Sequence, residues 1–115
     1  MDAKFIKGNP EFVRYKPGSA VAAGDVILIG DLVVIAHSAI AASAWGNVAV
    51  GGGSYELVCG EAIAVGKRVN WDVADSKVNE DVLNPIFGWL NLHLAADADT
   101  DIRECLHRPY VDLIV

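Results

Sequence analysis

The clearest pattern along the chain is a pair of apolar runs that are joined by two residues. Val26–Ile29 and Leu32–Ile35 are uniformly apolar, and Gly30-Asp31 separates them. Because glycine accepts the positive φ of a tight primed turn, the pattern predicts a β-hairpin. Both runs are apolar on both faces, so one face is expected in a core and the other against a second layer or another subunit. We expect Val34 to lie in such a subunit contact.

Later segments predict further short strands. Val69 and Trp71 alternate with the polar Arg68 and Asn70, which is typical of a half-buried strand. Strands are also predicted at 48–50, 55–59, 86–94, 102–106 and 110–115, with a loop or one helical turn at 39–44 and a polar excursion at 72–81. No segment shows sustained helical periodicity. The predicted fold is therefore all-β, either a small β-barrel or a β-sandwich.

Residues 1–16 have no period of their own and precede a Pro17-Gly18 turn, so we expect an extended N-terminal arm followed by a single β domain over residues 17–115. The arm has a local charge of +2 and the remainder −8. The arm could pack across its own domain or become ordered on a partner, and we favour the partner. The residues expected to dock there are Lys4, Phe5, Ile6, Lys7 and Phe12.

Composition narrows the classes of function. The chain has 115 residues, of which 53% are hydrophobic and 21% charged, and this apolar excess favours a homo-oligomer or a chain docked on a larger partner. A formal charge of −6 argues against nucleic-acid binding. We find neither a signal-peptide core nor an apolar run that could span a bilayer. The aromatic candidates for a subunit or capsid contact are Trp45 and Trp89.

Motifs that carry chemistry are absent or incomplete. The glycine run at 51–53 lacks the third glycine of a dinucleotide loop, and a strand rather than a helix is expected after it. The aspartates at 97–101 lack the glycine and the final glutamate of a calcium loop. There is no phosphate loop and no nucleophile elbow. We therefore expect no enzyme, no catalytic residue and no cofactor.

The histidines and cysteines do not have the spacing of a metal site. Cys59 and Cys105 lie far apart in strand-like sequence, which indicates buried thiols rather than a disulfide. His37 follows an apolar strand and is expected to be a hydrogen-bonded residue at the strand's end. We predict no metal ligand among these residues.

Several short runs occur in a recognisable order. They are Ala-Gly-Asp-Val at 23–26, the hairpin, Gly-Ser-Tyr-Glu-Leu at 53–57, Val-Gly-Lys-Arg-Val-Asn-Trp-Asp at 65–72, Ile-Phe-Gly at 86–88 and Ala-Ala-Asp at 95–97. Over about residues 17–106 this order resembles the small phage capsid cement or head decoration proteins, some of which are loosely labelled recombinase-like. The chain departs from that pattern in its triple glycine and in the tail at 107–115.

The resemblance implies a non-enzymatic virion protein that binds the outer surface of the assembled capsid and cements neighbouring major capsid subunits. It also implies synthesis in the host cytoplasm and a homo-oligomer, with a trimer favoured and a dimer possible. The expected partner is the major capsid protein, with no nucleic acid and no membrane. A tail or fibre accessory module and a small-ligand-binding β-barrel stay open as alternatives.

Overall fold

The computed structural model describes residues 2–59, 63, 66–81, 83–90 and 102–109. These residues form ten strands: β1 (Lys4–Lys7), β2 (Glu11–Tyr15), β3 (Val26–Ile29), β4 (Leu32–Ala36), β5 (Gly46–Gly51), β6 (Ser54–Val58), β7 (Arg68–Asp72), β8 (Lys77–Asn79), β9 (Ile86–Leu90) and β10 (Ile102–His107). The all-β prediction is confirmed. Among the described residues, none belongs to a helix that could cross a membrane.

The strands form two antiparallel sheets. Six strands pair in the order β1-β6-β10-β9-β7-β8, and four pair in the order β2-β5-β4-β3. Each sheet therefore keeps two edge strands. The architecture is that of a sandwich, so the alternative of a closed barrel is not realised.

The predicted hairpin is formed by β3 and β4. Its register pairs Val26 with Ile35 and Ile29 with Leu32, which leaves Gly30 and Asp31 as the two-residue turn. Gly30 has a φ of 62°, whereas Asp31 keeps a negative φ, and this combination indicates a type II′ turn. Glycine is needed there because a side chain at positive φ is strained.

The two faces of the hairpin enter different clusters. Val33 and Ile35 point between the sheets and belong to the main core with Tyr55, Trp71 and Phe87. On the opposite face, a second cluster groups Val34 and Ala36 with Ile40 and Val48.

Val34 is fully buried within its own chain, which corrects the expectation that it lies in a subunit contact. The loops on either side of the hairpin cover this face, since Val21 and Ile40 form a β-bridge over it. The second layer that the apolar hairpin requires is therefore supplied by the chain itself.

The N-terminal segment does not extend away as a free arm. β1 pairs with β6, with Phe5 opposite Tyr55, and β2 pairs with β5, with Phe12 opposite Ala49. Of the two expected alternatives, residues 4–15 adopt the one in which the segment packs on its own domain. Docking of these residues on a partner stays a prediction.

The remaining predicted strands at 48–50, 55–59, 65–72 and 102–106 are present with shifts at their ends, the largest at β7, which begins only at Arg68. β8 was not predicted, because it is only three residues long and lies in the polar segment 72–81. Its central Val78 is fully buried in the main core. The predicted strand residues at 91–94, with Leu92 and Leu94, and at 110–115 lie outside the described residues.

Candidate functional site

Two tight corners bring β1 and β2 to the same side of the sandwich. Residues 8–10 connect β1 to β2, and Gly52-Gly53 connects β5 to β6. A Cβ on Gly8 would lie 2.6 Å from the Gly53 Cα, and a Cβ on Gly52 would lie 2.9 Å from the Asn9 carbonyl oxygen. The unusual glycine run therefore lets the two corners pack backbone against backbone.

Aromatic side chains line the opening between the sheets on this side. The rings of Phe5 and Phe12 lie 5.2 Å and 5.0 Å from the ring of His37, measured between centroids. Phe5 also makes an edge contact with Tyr55 at 5.4 Å. Although both phenylalanines face the core side of their sheets, Phe12 is 47% exposed and Phe5 41%. The aromatic cluster is thus half open to solvent.

His37 ties the two sheets together at this opening. Its Nε2 lies 2.5 Å from the Tyr55 hydroxyl, so the ring has the hydrogen-bond partner that the sequence led us to expect. Burial lowers the pKa of His37 and raises that of Tyr55. Both side chains are therefore neutral at pH 7, and the opening presents an uncharged aromatic surface.

The outward faces of the same strands are apolar and basic. Val13 is 44% exposed, and Ile6 is exposed beside two lysines of β1. Trp45, which precedes β5, is 60% exposed, and the Arg14 guanidinium lies 4.6 Å from its ring centroid. Lys16 Nζ lies 5.8 Å from the same ring. We call β1, β2, Lys16 and Trp45 together the N-terminal edge.

The structure thus brings together six of the sequence-predicted contact residues at the N-terminal edge, namely Lys4, Phe5, Ile6, Lys7, Phe12 and Trp45. Trp89 lies elsewhere. It is half-buried in β9, opposite Arg68 on one side and Leu106 on the other, and it lines a surface pocket with Lys67 and Glu80. Its role as a contact residue stays a prediction separate from the N-terminal edge.

A shallow cleft adjoins the N-terminal edge. It has a volume of about 160 Å³ and is lined by Lys4, Phe5, Gly24, Ile35 and Tyr55, among others. The lining is mainly apolar, and the cleft is too small for a typical organic cofactor, for which pockets of roughly 300–1,000 Å³ are usual.

His107 is a buried polar residue that the sequence analysis did not single out. It is fully buried in β10, and its Nε2–H donates to the Val33 carbonyl oxygen of the other sheet at 2.7 Å. Nδ1 has no hydrogen-bond partner among the described residues. Burial lowers the pKa of His107 to about 4. Its alternation with the buried Cys105 was the available signal that this side chain points inward.

The cysteines are reduced, and the histidines, cysteines and carboxylates of the described residues do not form a metal site. Cys59 and Cys105 are buried thiols and form no disulfide, as predicted. Within the part of the chain that the structure describes, no group of three or more His, Cys, Asp or Glu side chains lies close enough to hold a metal ion.

A comparison with known protein families decides the class. The sequence matches the family described as phage cement protein over residues 8–103. The chain belongs to the phage cement protein family. No curated protein and no solved structure matches it. Phage cement proteins are structural and non-enzymatic, and their role is to stabilise the capsid of the virion. The matched region contains β2 to β9 and the first two residues of β10, but not β1.

Proposed function

We propose that this cement protein binds the outer surface of the assembled phage head and holds neighbouring major capsid subunits together through the N-terminal edge. The observation that carries the proposal is that this side of the sandwich presents one edge strand of each sheet, β1 and β2. Open edges can accept a partner's strand through main-chain hydrogen bonds. Half-exposed Phe5, Phe12 and Trp45 supply apolar area beside those edges.

The charge distribution also supports the N-terminal edge as the surface that docks on the capsid. Residues 1–16 carry +2, whereas the rest of the chain carries −8. The four basic side chains of this segment are all exposed: Lys4, Lys7, Arg14 and Lys16. An acidic capsid surface would therefore attract the N-terminal edge and repel the remainder of the protein, which orients the encounter.

We further propose that the protein acts as a homo-oligomer, most simply a trimer. Each N-terminal edge is small, so a single copy would bind weakly. In an oligomer, the second and third contacts form at high effective concentration and multiply the affinity without any new type of contact. The same geometry explains cementing, because several capsid subunits are then held by one particle.

The test uses purified expanded heads of the source phage that lack the cement protein. Wild-type protein should co-sediment with the heads saturably and raise the temperature at which they break. Phe12→Ala should weaken binding at least tenfold. Leu83→Ala, at a side chain that is 90% exposed and remote from the N-terminal edge, should bind within twofold of wild type. Absence of wild-type binding would refute the proposal.

Point substitutions are preferable to removal of the first twelve residues. These residues supply β1 and the beginning of β2, and Ala3 is buried in the main core. Truncation would expose β6 and part of β5 as new edges, so a loss of binding could not be separated from damage to the fold.

A further inference from the structure

The four edge strands of the sandwich are not equally open to a partner. Soluble proteins protect sheet edges with lysines, bulges, very short strands or capping side chains. β1 has Lys4 and Lys7, and its register with β6 shifts between Phe5 and Lys7. Such an irregularity disrupts the ladder that a further strand would need. β1 is therefore a protected edge.

The two edges on the far side are protected in other ways. β8 has only three residues and begins with Lys77. At β3, the Val26 N–H donates to the Asp2 carboxylate at 3.0 Å. This bond occupies the backbone donor at the beginning of β3, so an added strand could not pair there without displacing Asp2.

β2 has fewer of these protections, although its Glu11 and Arg14 are charged. Its pairing with β5 is regular from Phe12 to Tyr15, and the one shift lies before Phe12. The strand contains no lysine and no proline, and its first four residues are exposed on both faces of the sheet. An edge that is regular from Phe12 to Tyr15 and exposed on both faces is a template for strand addition.

The side chains around β2 also indicate the chemistry of the added strand. Phe12 and Val13 offer one apolar position on each face. At the strand's end, Arg14 and Lys16 lie over Trp45, which places two cations side by side on an exposed ring. A carboxylate passing this point would find charge-assisted donors in a fixed position.

A second copy of the chain fits this edge less well. If two β2 strands paired about Val13, Glu11 would come opposite Tyr15 and Arg14 opposite Phe12. The single acidic residue of the strand would then not reach the cations. The N-terminal segments of two copies would also repel each other at this edge, because residues 1–16 of each copy carry a charge of +2.

We propose that β2, rather than β1, is the strand to which an extended segment of the major capsid protein adds, and that this segment carries a carboxylate where it passes Arg14 and Lys16. The proposal rests on the proposed function, since that function supplies the partner. It differs from the sequence-based expectation, which placed most docking residues in β1.

The test compares matched lysine substitutions at the two edges. Val13→Lys on β2 and Ile6→Lys on β1 both replace an exposed β-branched residue, so both variants should fold. Binding to cement-free heads should weaken at least tenfold for Val13→Lys and by a clearly smaller factor for Ile6→Lys. Arg14→Glu should also weaken binding at least tenfold, with a reduced dependence on salt concentration.

Hydrogen exchange provides the direct readout. On heads, the amides of residues 11–15 should exchange at least tenfold more slowly than in the isolated protein, whereas those of residues 4–7 should not change. Equal losses of affinity for Val13→Lys and Ile6→Lys would overturn the β2 proposal alone, and so would unchanged amide exchange in β2 on heads. Protection of β2 in the isolated protein that disappears on dilution would assign this edge to a second copy. A failure of wild-type protein to bind heads would instead refute the proposed function.

Discussion

Acid should destabilise this protein mainly through His107, and replacement of that residue by glutamine should remove much of the effect. The imidazole is packed between the sheets against Phe87 and Tyr55, with ring centroids 5.0 Å and 5.8 Å away. No carboxylate contributes to its pKa, and His37 adds a small repulsion to the charged form. Protonation would therefore place an uncompensated charge in the core.

The magnitude follows from the shift in pKa. The pKa of His107 is lowered from 6.5 to about 4, so the folded state binds fewer protons than the unfolded state between these values. The stabilisation is fully present above pH 6.5 and is lost as the pH falls through the folded pKa. A difference of roughly 2.5 units corresponds to about 3 kcal/mol of unfolding free energy. The lowered pKa of His37 acts in the same direction.

The assay is urea unfolding followed by tryptophan fluorescence at pH 7.5, 6.5, 5.5 and 4.5. His107→Gln is the matched control, because the glutamine amide can donate to the Val33 oxygen but does not titrate. Carboxylates and the other histidines affect both proteins alike. Between pH 7.5 and 4.5, the unfolding free energy of the wild type should fall by about 2–3 kcal/mol more than that of His107→Gln. A constant gap would show that His107 is not the acid-sensitive group.

Two other features of the interior give simple tests. Gly88→Ala should lower the unfolding free energy by at least about 3 kcal/mol or prevent folding, because its Cβ would lie 1.8 Å from the Leu106 carbonyl oxygen. As a control, Gly18→Ala should change the unfolding free energy by less than about 0.5 kcal/mol, because no atom beyond its chain neighbours lies within 4 Å of the added Cβ. Cys59 and Cys105 are buried, so neither thiol should react with a thiol reagent in the native protein, whereas both should react in urea. Rapid labelling of the native protein would contradict this burial.

Local chemistry was enough to predict the central hairpin. Gly30-Asp31 specifies the turn, and the apolar runs on each side specify the pairing, so this element depends on neighbours in sequence. The all-β class followed for the same reason. What covers the outer face of the hairpin was not predictable, because the bridge from Val21 to Ile40 depends on how two irregular loops meet.

The N-terminal segment forms two edge strands of its own domain, whereas its sequence predicted an arm with no period of its own. An edge strand that is exposed on both faces has no alternation of apolar and polar residues, so β1 and β2 resemble an unstructured arm. β1 and β2 pair with β6 and β5, which lie between 31 and 52 residues further along the sequence. The packing role of Gly52 and Gly53 could not be predicted either, because the backbone that contacts them belongs to residues 8–10, which are distant in sequence.

The position of β6 has a consequence for how the protein is made. This strand lies between β1 on one side and β10 on the other, so the six-stranded sheet joins the two ends of the described chain. During synthesis, β1 cannot pair until β6 has left the ribosome, and β6 cannot complete its pairing until residues 102–107 have left it as well. Non-local pairing of this kind makes folding slow. The six-stranded sheet is therefore complete only after β10 has emerged, and a nascent chain that stops before β10 would display the open strand edges that promote aggregation.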